Sequence, residues 1–266
     1  MNEKGCLLCG LEEPIRETEQ FTRCNHCGTL SRINATEAVP GEFPDDMYYH
    51  GILPSERRWM KLIEEHSSEE SQRSLLDLAC GNGSFLQHAA DLGWTVRGVE
   101  ENPGLVKRGR EDGIEIVQGN LDSFEWPVTW SFDVIRIWFA LEHVGRPGDL
   151  VKTARKHLKP NGLLAVAVPN DAGWLARKVM KSPEDRFWEH PLHLHHYPPF
   201  GLERWIEGLG FELLVSEADR PTELMRDGNL PLKQAWNKAR EHVPELSRIF
   251  YQFGVGRTRE MLFKSG

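Results

Sequence analysis

The chain has 266 residues, of which 39% are hydrophobic, and its formal net charge is -8 at pH 7. This length suits one α/β domain with a small appendage, and the acidic balance disfavours a broad nucleic-acid-binding surface. No apolar run reaches the length of a membrane span, and the first residues contain no apolar signal region. We therefore expect a cytoplasmic protein without a membrane segment.

Residues 1–35 hold two cysteine pairs, Cys6 with Cys9 and Cys24 with Cys27, and a glycine follows each pair. Each pair forms a tight turn that directs two thiolates to one point, so the two pairs together predict a tetrahedral zinc ribbon. His26 lies inside the second pair and could replace one ligand. Four protein ligands leave no open coordination position, so the Zn2+ is expected to be structural. The ribbon either supports folding or docks a substrate or partner.

Residues 36–70 are predicted to form a linker and a lid helix. Prolines and glycines interrupt the linker, and the aromatic patch at 47–49 either packs on the main domain, which we favour, or covers the cofactor or acceptor. Ser55 is expected to cap a helix that carries Trp59, Leu62 and Ile63 on one face. Residues 71–266 are then the main domain.

The stretch 74–85 reads as a short apolar strand, a turn with Gly81 and Gly83 around Asn82, and the start of a helix at Phe85. A strand that turns into a helix through glycines presents free backbone N–H groups at the carboxyl edge of a parallel sheet, where ligands bind. The dinucleotide fingerprint needs a third small residue where this chain has Leu86. A nicotinamide or flavin cofactor is therefore disfavoured.

Asp77 and the following Ala-Cys-Gly-Asn-Gly resemble motif I of the class I S-adenosylmethionine-dependent methyltransferases. The resemblance implies an α/β, Rossmann-like fold with a seven-stranded sheet and helices on both faces, and S-adenosyl-L-methionine as the cofactor. It also suggests a broad subfamily that methylates small molecules or sugars. The residues expected to bind the cofactor are Asp77, Ala79, Gly81, Asn82, Gly83, Glu100, Asn120, Leu121 and Trp138. Cys80 is expected to be a small buried residue of the turn rather than a nucleophile.

The next two strands end on polar side chains that suit a nucleoside. Glu100 closes the strand at 94–100 and could accept hydrogen bonds from both ribose hydroxyls. After the strand at 114–118, the family usually has an acid near the adenine amino group, whereas this chain has Asn120. An Asn carbonyl can still accept from an amine, and Asp122 is the alternative residue for this role.

The fourth strand, 132–137, leads into residues 138–144, which resemble the family's Leu-Glu-His-Val segment. Trp138 and Phe139 are expected to form apolar walls beside the reactive methyl group. His143 is either a buried histidine bonded to the backbone, which we favour, or a general base. Helices are expected at 149–158, at 202–210 and around 233–241. A fifth strand and the strands at 211–215 and 258–263 complete the expected sheet.

Residues 188–197 are rich in histidine and allow three interpretations: a second metal site, a structural loop, or an acceptor-site loop. The order Pro-Leu-His-Leu-His-His-Tyr at 191–197 resembles an acceptor-site segment of the same subfamily, which implies His193 as the base, with His190 and His195 as further candidates. Since the cofactor's methyl group is already activated, the protein mainly has to align the acceptor and remove its proton.

The sequence thus predicts methyl transfer to an O, N or C atom of a small molecule, for example a sugar or a secondary-metabolite precursor. One alternative is an RNA methyltransferase that docks RNA with its zinc ribbon. Residues 1–50 oppose it, because they contain four Lys/Arg against nine Asp/Glu and phosphate contacts need cations. The other alternative is an inactive cofactor-binding adaptor, at which Asn120 hints and against which Asp77 and Glu100 argue.

Overall fold

A computed structural model describes residues 5–11, 15–17, 19–35, 51–68, 72–170, 192–198, 200–218 and 258–266. Within them, the elements in chain order are β1 (Ile15–Arg16), β2 (Phe21–Arg23), β3 (Leu30–Arg32), α1 (Pro54–His66), β4 (Ser74–Leu78), α2 (Ser84–Asp91), β5 (Thr95–Glu100), α3 (Pro103–Glu111), β6 (Ile116–Gln118), β7 (Phe132–Trp138), α4 (Pro147–His157), β8 (Leu158–Pro169), β9 (His195–His196), α5 (Gly201–Gly208), β10 (Phe211–Ala218) and β11 (Thr258–Ser265). The elements expected from the alternating pattern between residues 74 and 218 are present.

The described strands of the main domain form a seven-stranded sheet in the order β10-β11-β8-β7-β4-β5-β6. Strands β8, β7, β4, β5 and β6 pair in parallel, and β11 pairs antiparallel with both β8 and β10. The chain runs outward from β4 to β6 and then returns to β7 on the other side of β4. Ligands bind at such a reversal of strand order, beyond the carboxyl ends of the strands. The predicted seven-stranded, Rossmann-like fold is confirmed.

The core lies on both faces of the sheet because the central strands direct mainly apolar side chains to each face, with charged exceptions such as Asp77 and Arg136. Successive residues point to opposite faces, so that Leu75 belongs to one cluster and Leu76 to the other. Helices α1, α2 and α3 contribute Trp59, Phe85 and Val106 to the first cluster. Helices α4 and α5 contribute to the second cluster, which also includes buried residues of the N-terminal region. Helices therefore cover both faces, as expected.

Helix α1 differs from its expected form in its N-cap residue. Its N-cap is Leu53, whose backbone N–H donates to the Glu56 carboxylate at 3.0 Å, so Ser55 lies within the first turn and is not the cap. Trp59 and Ile63 share the expected face and are fully buried. This face of the helix thus packs on the core of the main domain, and the role of the helix as a lid stays a prediction.

A second sheet joins the N-terminal region to the main domain. Strands β1, β2 and β3 of the cysteine module, defined as the described residues from 5 to 35, are extended by β9, in the order β1-β2-β3-β9. Strand β9 belongs to the histidine segment, residues 192–198. The module and the main domain therefore share a sheet, and the boundaries at 35 and 70 stay a prediction.

Some predicted bounds shift, and some predictions lie outside the described residues. The third strand of the main domain begins at Ile116 instead of residue 114, and the fifth begins at Leu158, with Asn161 at a φ of 60° before the buried run. The aromatic patch at 47–49, His190 and the helix expected near 233–241 lie outside the described residues. Among the described helices, none has the length and apolar character that crossing a bilayer would require.

Candidate functional site

The turn after β4 is built from backbone that runs through the left-handed region. Ala79, Gly81 and Gly83 have φ values of 57°, 58° and 80°. A Cβ at Gly81 would meet no atom within 4 Å, so open space lies above this residue. Glycine adopts such a left-handed conformation without steric cost, whereas Ala79 is strained and must be held in place by the surrounding structure. The turn lies at the sheet edge where the cofactor-binding loop was expected. The expected free backbone N–H groups are only partly present, because those of Cys80, Gly81 and Gly83 already donate within the structure.

Glu100 lies beside this turn because β4 and β5 are parallel neighbours and end at the same edge. Its carboxylate accepts hydrogen bonds from the backbone N–H groups of Gly81 and Asn102, both at 2.9 Å. Burial raises the pKa of Glu100, and the backbone donors act in the opposite direction. Each carboxylate oxygen keeps a second lone pair that could accept from a ribose hydroxyl.

Two further residues of the turn have defined partners. The Asn82 side-chain oxygen accepts from the backbone N–H and hydroxyl of Ser84, at 3.2 and 2.7 Å, and so supports the start of α2. Cys80 is buried against Gly98. Burial, followed by the charges of Asp77 and Glu100, raises the pKa of the Cys80 thiol far above its usual range. A protonated thiol is a poor nucleophile, in line with the expectation for this residue.

The segment after β6 is tied to two neighbours. The Asn120 side-chain nitrogen donates to the Glu101 carboxylate at 2.8 Å, and its oxygen accepts from the Asp122 backbone N–H at 2.9 Å. The Asp122 carboxylate accepts from the backbone N–H groups of Gly145 and Arg146, at 3.0 and 3.2 Å. Asp122 therefore fixes the loop that follows β7. Leu121 is partly buried between these two anchors and packs on the core.

The site contains a buried ion cluster that the sequence analysis missed. Arg136, in the middle of β7, donates to Asp77 and to Glu56 of α1, each at 2.7 Å. Its guanidinium carbon also lies 4.0 Å from the Phe85 ring centroid and 4.5 Å from that of Trp138. Burial raises the pKa of Asp77 to about 6, although Arg136 acts to lower it. The signal in the sequence was an arginine in the middle of a mainly apolar strand, since such a charge needs a partner.

Apolar side chains stand at the carboxyl end of β7, as expected. Trp138 packs edge-on against Trp59, with ring centroids 5.4 Å apart. Phe139 has a φ of 51° and remains 38% exposed. Its backbone N–H donates to the Ala167 carbonyl at 2.9 Å, which holds the left-handed conformation in place. The two aromatic rings thus supply apolar surface next to the glycine turn.

Two of the three predicted catalytic histidines come together although they are far apart in the sequence. The ring centroids of His143 and His193 are 4.9 Å apart. The His143 Nδ1 lies 2.9 Å from the Leu192 carbonyl oxygen, which assigns the proton to Nδ1 and leaves Nε2 as an acceptor. This Nε2 lies 3.9 Å from a carboxylate oxygen of Glu142, whose side chain is only 2% exposed. The backbone bond expected for His143 is present together with a geometry that suits a base.

The side chains around the His143–His193 pair also have the spacing of a metal site. One possible ligand atom from each of Glu142, His143 and His193 lies within 4.8 Å of the other two. His195 is separate, because its Nδ1 pairs with the Ser31 hydroxyl at 2.9 Å, and burial lowers its pKa to about 4. The second-metal interpretation of the histidine segment therefore stays open beside the acceptor-site interpretation. Glu142 is the member that the sequence analysis did not select.

The four cysteines of the module converge as their spacing predicts. The sulfur atoms of Cys6 and Cys27 are 3.6 Å apart, and those of Cys9 and Cys24 are 3.7 Å apart. A tetrahedron with Zn–S bonds of about 2.3 Å has sulfur atoms about 3.8 Å apart. All four sulfurs lie within 4.8 Å of one another. The set thus fits one tetrahedral Zn2+ with thiolates at all four positions.

Comparison with known proteins agrees with this geometry. Residues 50–216 match the model of a family described as a methyltransferase domain. A ubiquinone biosynthesis O-methyltransferase of Caulobacter sp. (strain K31) is 33% identical over 102 residues, which are 36% of this chain and 40% of that protein. The corresponding protein of Xanthomonas oryzae pv. oryzae (strain PXO99A) is 29% identical over 149 residues, or 52% of this chain and 62% of its own.

These matches span about 40 to 60 per cent of the length of the curated relatives. Among solved structures, an S-adenosylmethionine-dependent methyltransferase from Archaeoglobus fulgidus aligns with a TM-score of 0.56 at 20% identity, covering 79% of this chain and 93% of that one. At this identity the alignment concerns the fold, which it supports independently of the sequence motifs. Since the family model covers more than half of the residues, the chain belongs to the methyltransferase domain family.

Proposed function

We propose that this protein transfers a methyl group from S-adenosylmethionine to a hydroxyl group of a small molecule. The observation that carries the proposal is that the open glycine turn, the Glu100 carboxylate and the loop that contains His143 all follow parallel strands that end at one sheet edge. The first two suit the cofactor and the third suits an acceptor that must lose a proton. Family membership and the names of the curated relatives support the same chemistry.

The cofactor would lie across the carboxyl ends of β4 and β5. Glu100 accepts from its ribose hydroxyls, and the left-handed turn at Gly81 leaves room for the nucleoside. Trp138 and Phe139 line the methyl end with apolar surface, which excludes water from the reacting centre. When bound, the sulfonium supplies an already activated methyl group. The chain has only to hold the acceptor in line with it and to take a proton.

The histidine pair provides that proton acceptor. His143 keeps its Nδ1 proton on the Leu192 carbonyl, so its Nε2 can receive the proton of an acceptor hydroxyl. The buried Glu142 carboxylate, 3.9 Å from Nε2, then stabilises the imidazolium that forms. His193 lies against the His143 ring and restricts its orientation. A base of this kind favours an oxygen acceptor, such as a phenol or a sugar hydroxyl.

The first experiment measures binding of S-adenosylmethionine and S-adenosylhomocysteine by calorimetry. Glu100→Ala should weaken binding about tenfold or more, as expected for loss of a charged hydrogen-bond acceptor. Glu111→Ala removes an exposed carboxylate of α3 and should leave the affinity unchanged. Thermal unfolding of both variants shows whether the turn still folds. Absence of binding to either compound would contradict the proposal.

The second experiment follows labelled methyl transfer to a panel of phenols and sugars. His143→Ala and His193→Ala should lower turnover by about 10² to 10⁴, because each disrupts general base catalysis, while cofactor affinity stays unchanged. An RNA panel in the same assay tests the alternative of an RNA acceptor. Transfer to RNA but to no small molecule would replace the acceptor class and leave the cofactor assignment intact.

A further inference from the structure

The histidine segment forms the edge strand of the cysteine module's sheet. Strand β9 pairs antiparallel with β3, so that Leu30 lies opposite His196 and Ser31 opposite His195. The Arg32 backbone N–H also donates to the Leu194 carbonyl at 2.8 Å. These bonds join residues that are about 160 positions apart in the chain. The backbone that carries His193 is therefore held by the N-terminal module.

Side chains of β2 and β3 reinforce this pairing. The Ser31 hydroxyl and His195 Nδ1 form a buried contact of 2.9 Å. The Arg32 Nε donates to the His193 carbonyl oxygen at 3.4 Å. Phe21 packs edge-on against His196, with ring centroids 5.1 Å apart. Each histidine of the segment thus has a module residue in contact with its ring or its backbone.

On its other side, the histidine segment is bonded to the β7 loop, residues 139–146. The Glu142 carbonyl accepts from the backbone N–H groups of Leu194 and His195, at 2.7 and 3.2 Å. The Tyr197 hydroxyl donates to the Leu141 carbonyl at 2.8 Å. The segment therefore lies between the module and the loop that contributes His143. A shift of β3 would be transmitted to the His143–His193 contact.

The two cysteine turns are themselves fitted to the main domain. The Gly148 backbone N–H donates to the Leu7 carbonyl at 3.3 Å, and a Cβ at Gly148 would collide with the Leu8 carbonyl. A Cβ at Gly201 would likewise collide with the Cys27 carbonyl. The main domain thus packs directly on backbone whose conformation the four metal ligands fix. When a metal ion binds to such turns, the free energy of binding contributes to the free energy of their folding.

We propose that the cysteine module positions the acceptor-side histidines, with Ser31 and Arg32 as the positioning residues, so that Zn2+ binding and the geometry of the His143–His193 pair are coupled. The proposal rests on the proposed function only for the role of the histidines. Loss of Zn2+ releases the cysteine turns, and β3 then no longer holds β9 in register. The cofactor half of the site, formed by β4 and β5, shares an apolar cluster with the module but has no hydrogen bond to it among the described residues, and it is expected to persist.

The test uses the full chain loaded with Zn2+ and follows hydrogen exchange by mass spectrometry before and after chelation. Amides of residues 192–197 should exchange at least tenfold faster after chelation, while those of β7 and the affinity for S-adenosylhomocysteine stay unchanged. Retained protection of 192–197 in protein whose module exchanges freely would overturn the proposal. Equal acceleration in β7 would also overturn it, because the effect of Zn2+ would then be global.

A pair of variants in Zn2+-loaded protein tests the coupling without metal removal. Ser31→Ala should shift the ring-nitrogen resonances of His195 and increase exchange of residues 192–197 several-fold. Thr22→Ala is the matched control, because it removes a hydroxyl of the same sheet that bonds the Ser31 carbonyl. Identical spectra and exchange for Ser31→Ala and wild type would contradict the positioning role. Neither measurement needs an acceptor, so its outcome is independent of whether methyl transfer is observed.

Discussion

Replacing Arg136 by methionine is the sharpest test of how the cofactor side of the site is held together. Arg136 joins Asp77 of β4 to Glu56 of α1, and its side chain is only 5% exposed. Methionine keeps most of the apolar volume against Phe85 and Trp138 but removes the charge. Two carboxylates then share a buried space without a cation.

The expected loss of unfolding free energy is about 3–5 kcal/mol at pH 8, the usual result of removing one partner from a buried ion pair. The loss should shrink on acidification. The pKa of Asp77 is already raised to about 6 by burial, despite the opposing effect of Arg136, and it should rise further without that charge. The carboxyl group of Asp77 has a higher pKa in the folded state than in the unfolded state. At pH values between these two pKa values the folded state binds more protons, so the free energy of unfolding falls as the pH rises.

Urea unfolding of the Zn2+-loaded protein at pH 8 and pH 5 measures these differences. Asp77→Asn and the double variant Arg136→Met/Asp77→Asn complete a cycle, in which we expect a coupling of about 2 kcal/mol. Lys107→Met is the control, since Lys107 is 78% exposed in its pair with Glu111 and should cost no more than about 0.5 kcal/mol. The reasoning would be refuted if Arg136→Met lost no more unfolding free energy than Lys107→Met, or if its loss were the same at pH 8 and pH 5.

Three further predictions concern the module and its contacts. Gly148→Ala should lower stability by about 1–3 kcal/mol in denaturant unfolding, because its Cβ meets the Leu8 backbone, whereas Gly208→Ala, with no atom within 4 Å, should be neutral or stabilising. Burial lowers the pKa of His195 to about 4, so the free energy of unfolding decreases as the pH falls below 6.5, the pKa of an unfolded histidine. Between pH 7 and pH 5, the wild type should lose about 2 kcal/mol more of this free energy than His195→Gln. Cys6→Ser should lower the Zn2+ content, measured by atomic absorption, below the one ion per chain expected for wild type.

The sequence was sufficient for those features that depend on local patterns and on the order of parallel strands. The glycine turn followed from residues 74–85, and Glu100 was placed beside it because neighbouring parallel strands end at one edge. The cysteine spacing likewise predicted that four sulfurs meet. In each case the relevant residues are adjacent in sequence or their positions are fixed by the topology of the fold.

Other features depended on contacts that no local pattern specifies. The pairing of β3 with β9 joins two short polar strands across most of the chain, and either could have been a loop. The cap of α1 was misplaced because Glu56 reaches back to the Leu53 backbone, so Ser55 is not needed for that bond. Asn120 was selected because it stands where the family has an acid, and no local pattern showed that its side-chain oxygen accepts from the Asp122 backbone.

The two halves of the site differ in how they are held, and this difference bears on function. The cofactor half depends on the central sheet and on the buried charge of Arg136, which lie within the main domain. The acceptor half depends on bonds from the cysteine module to the histidine segment. Because the module contacts the histidines rather than the glycine turn, changes in it should alter the acceptor side while leaving cofactor binding intact. A module variant with normal cofactor affinity and impaired methyl transfer would therefore separate the two halves experimentally.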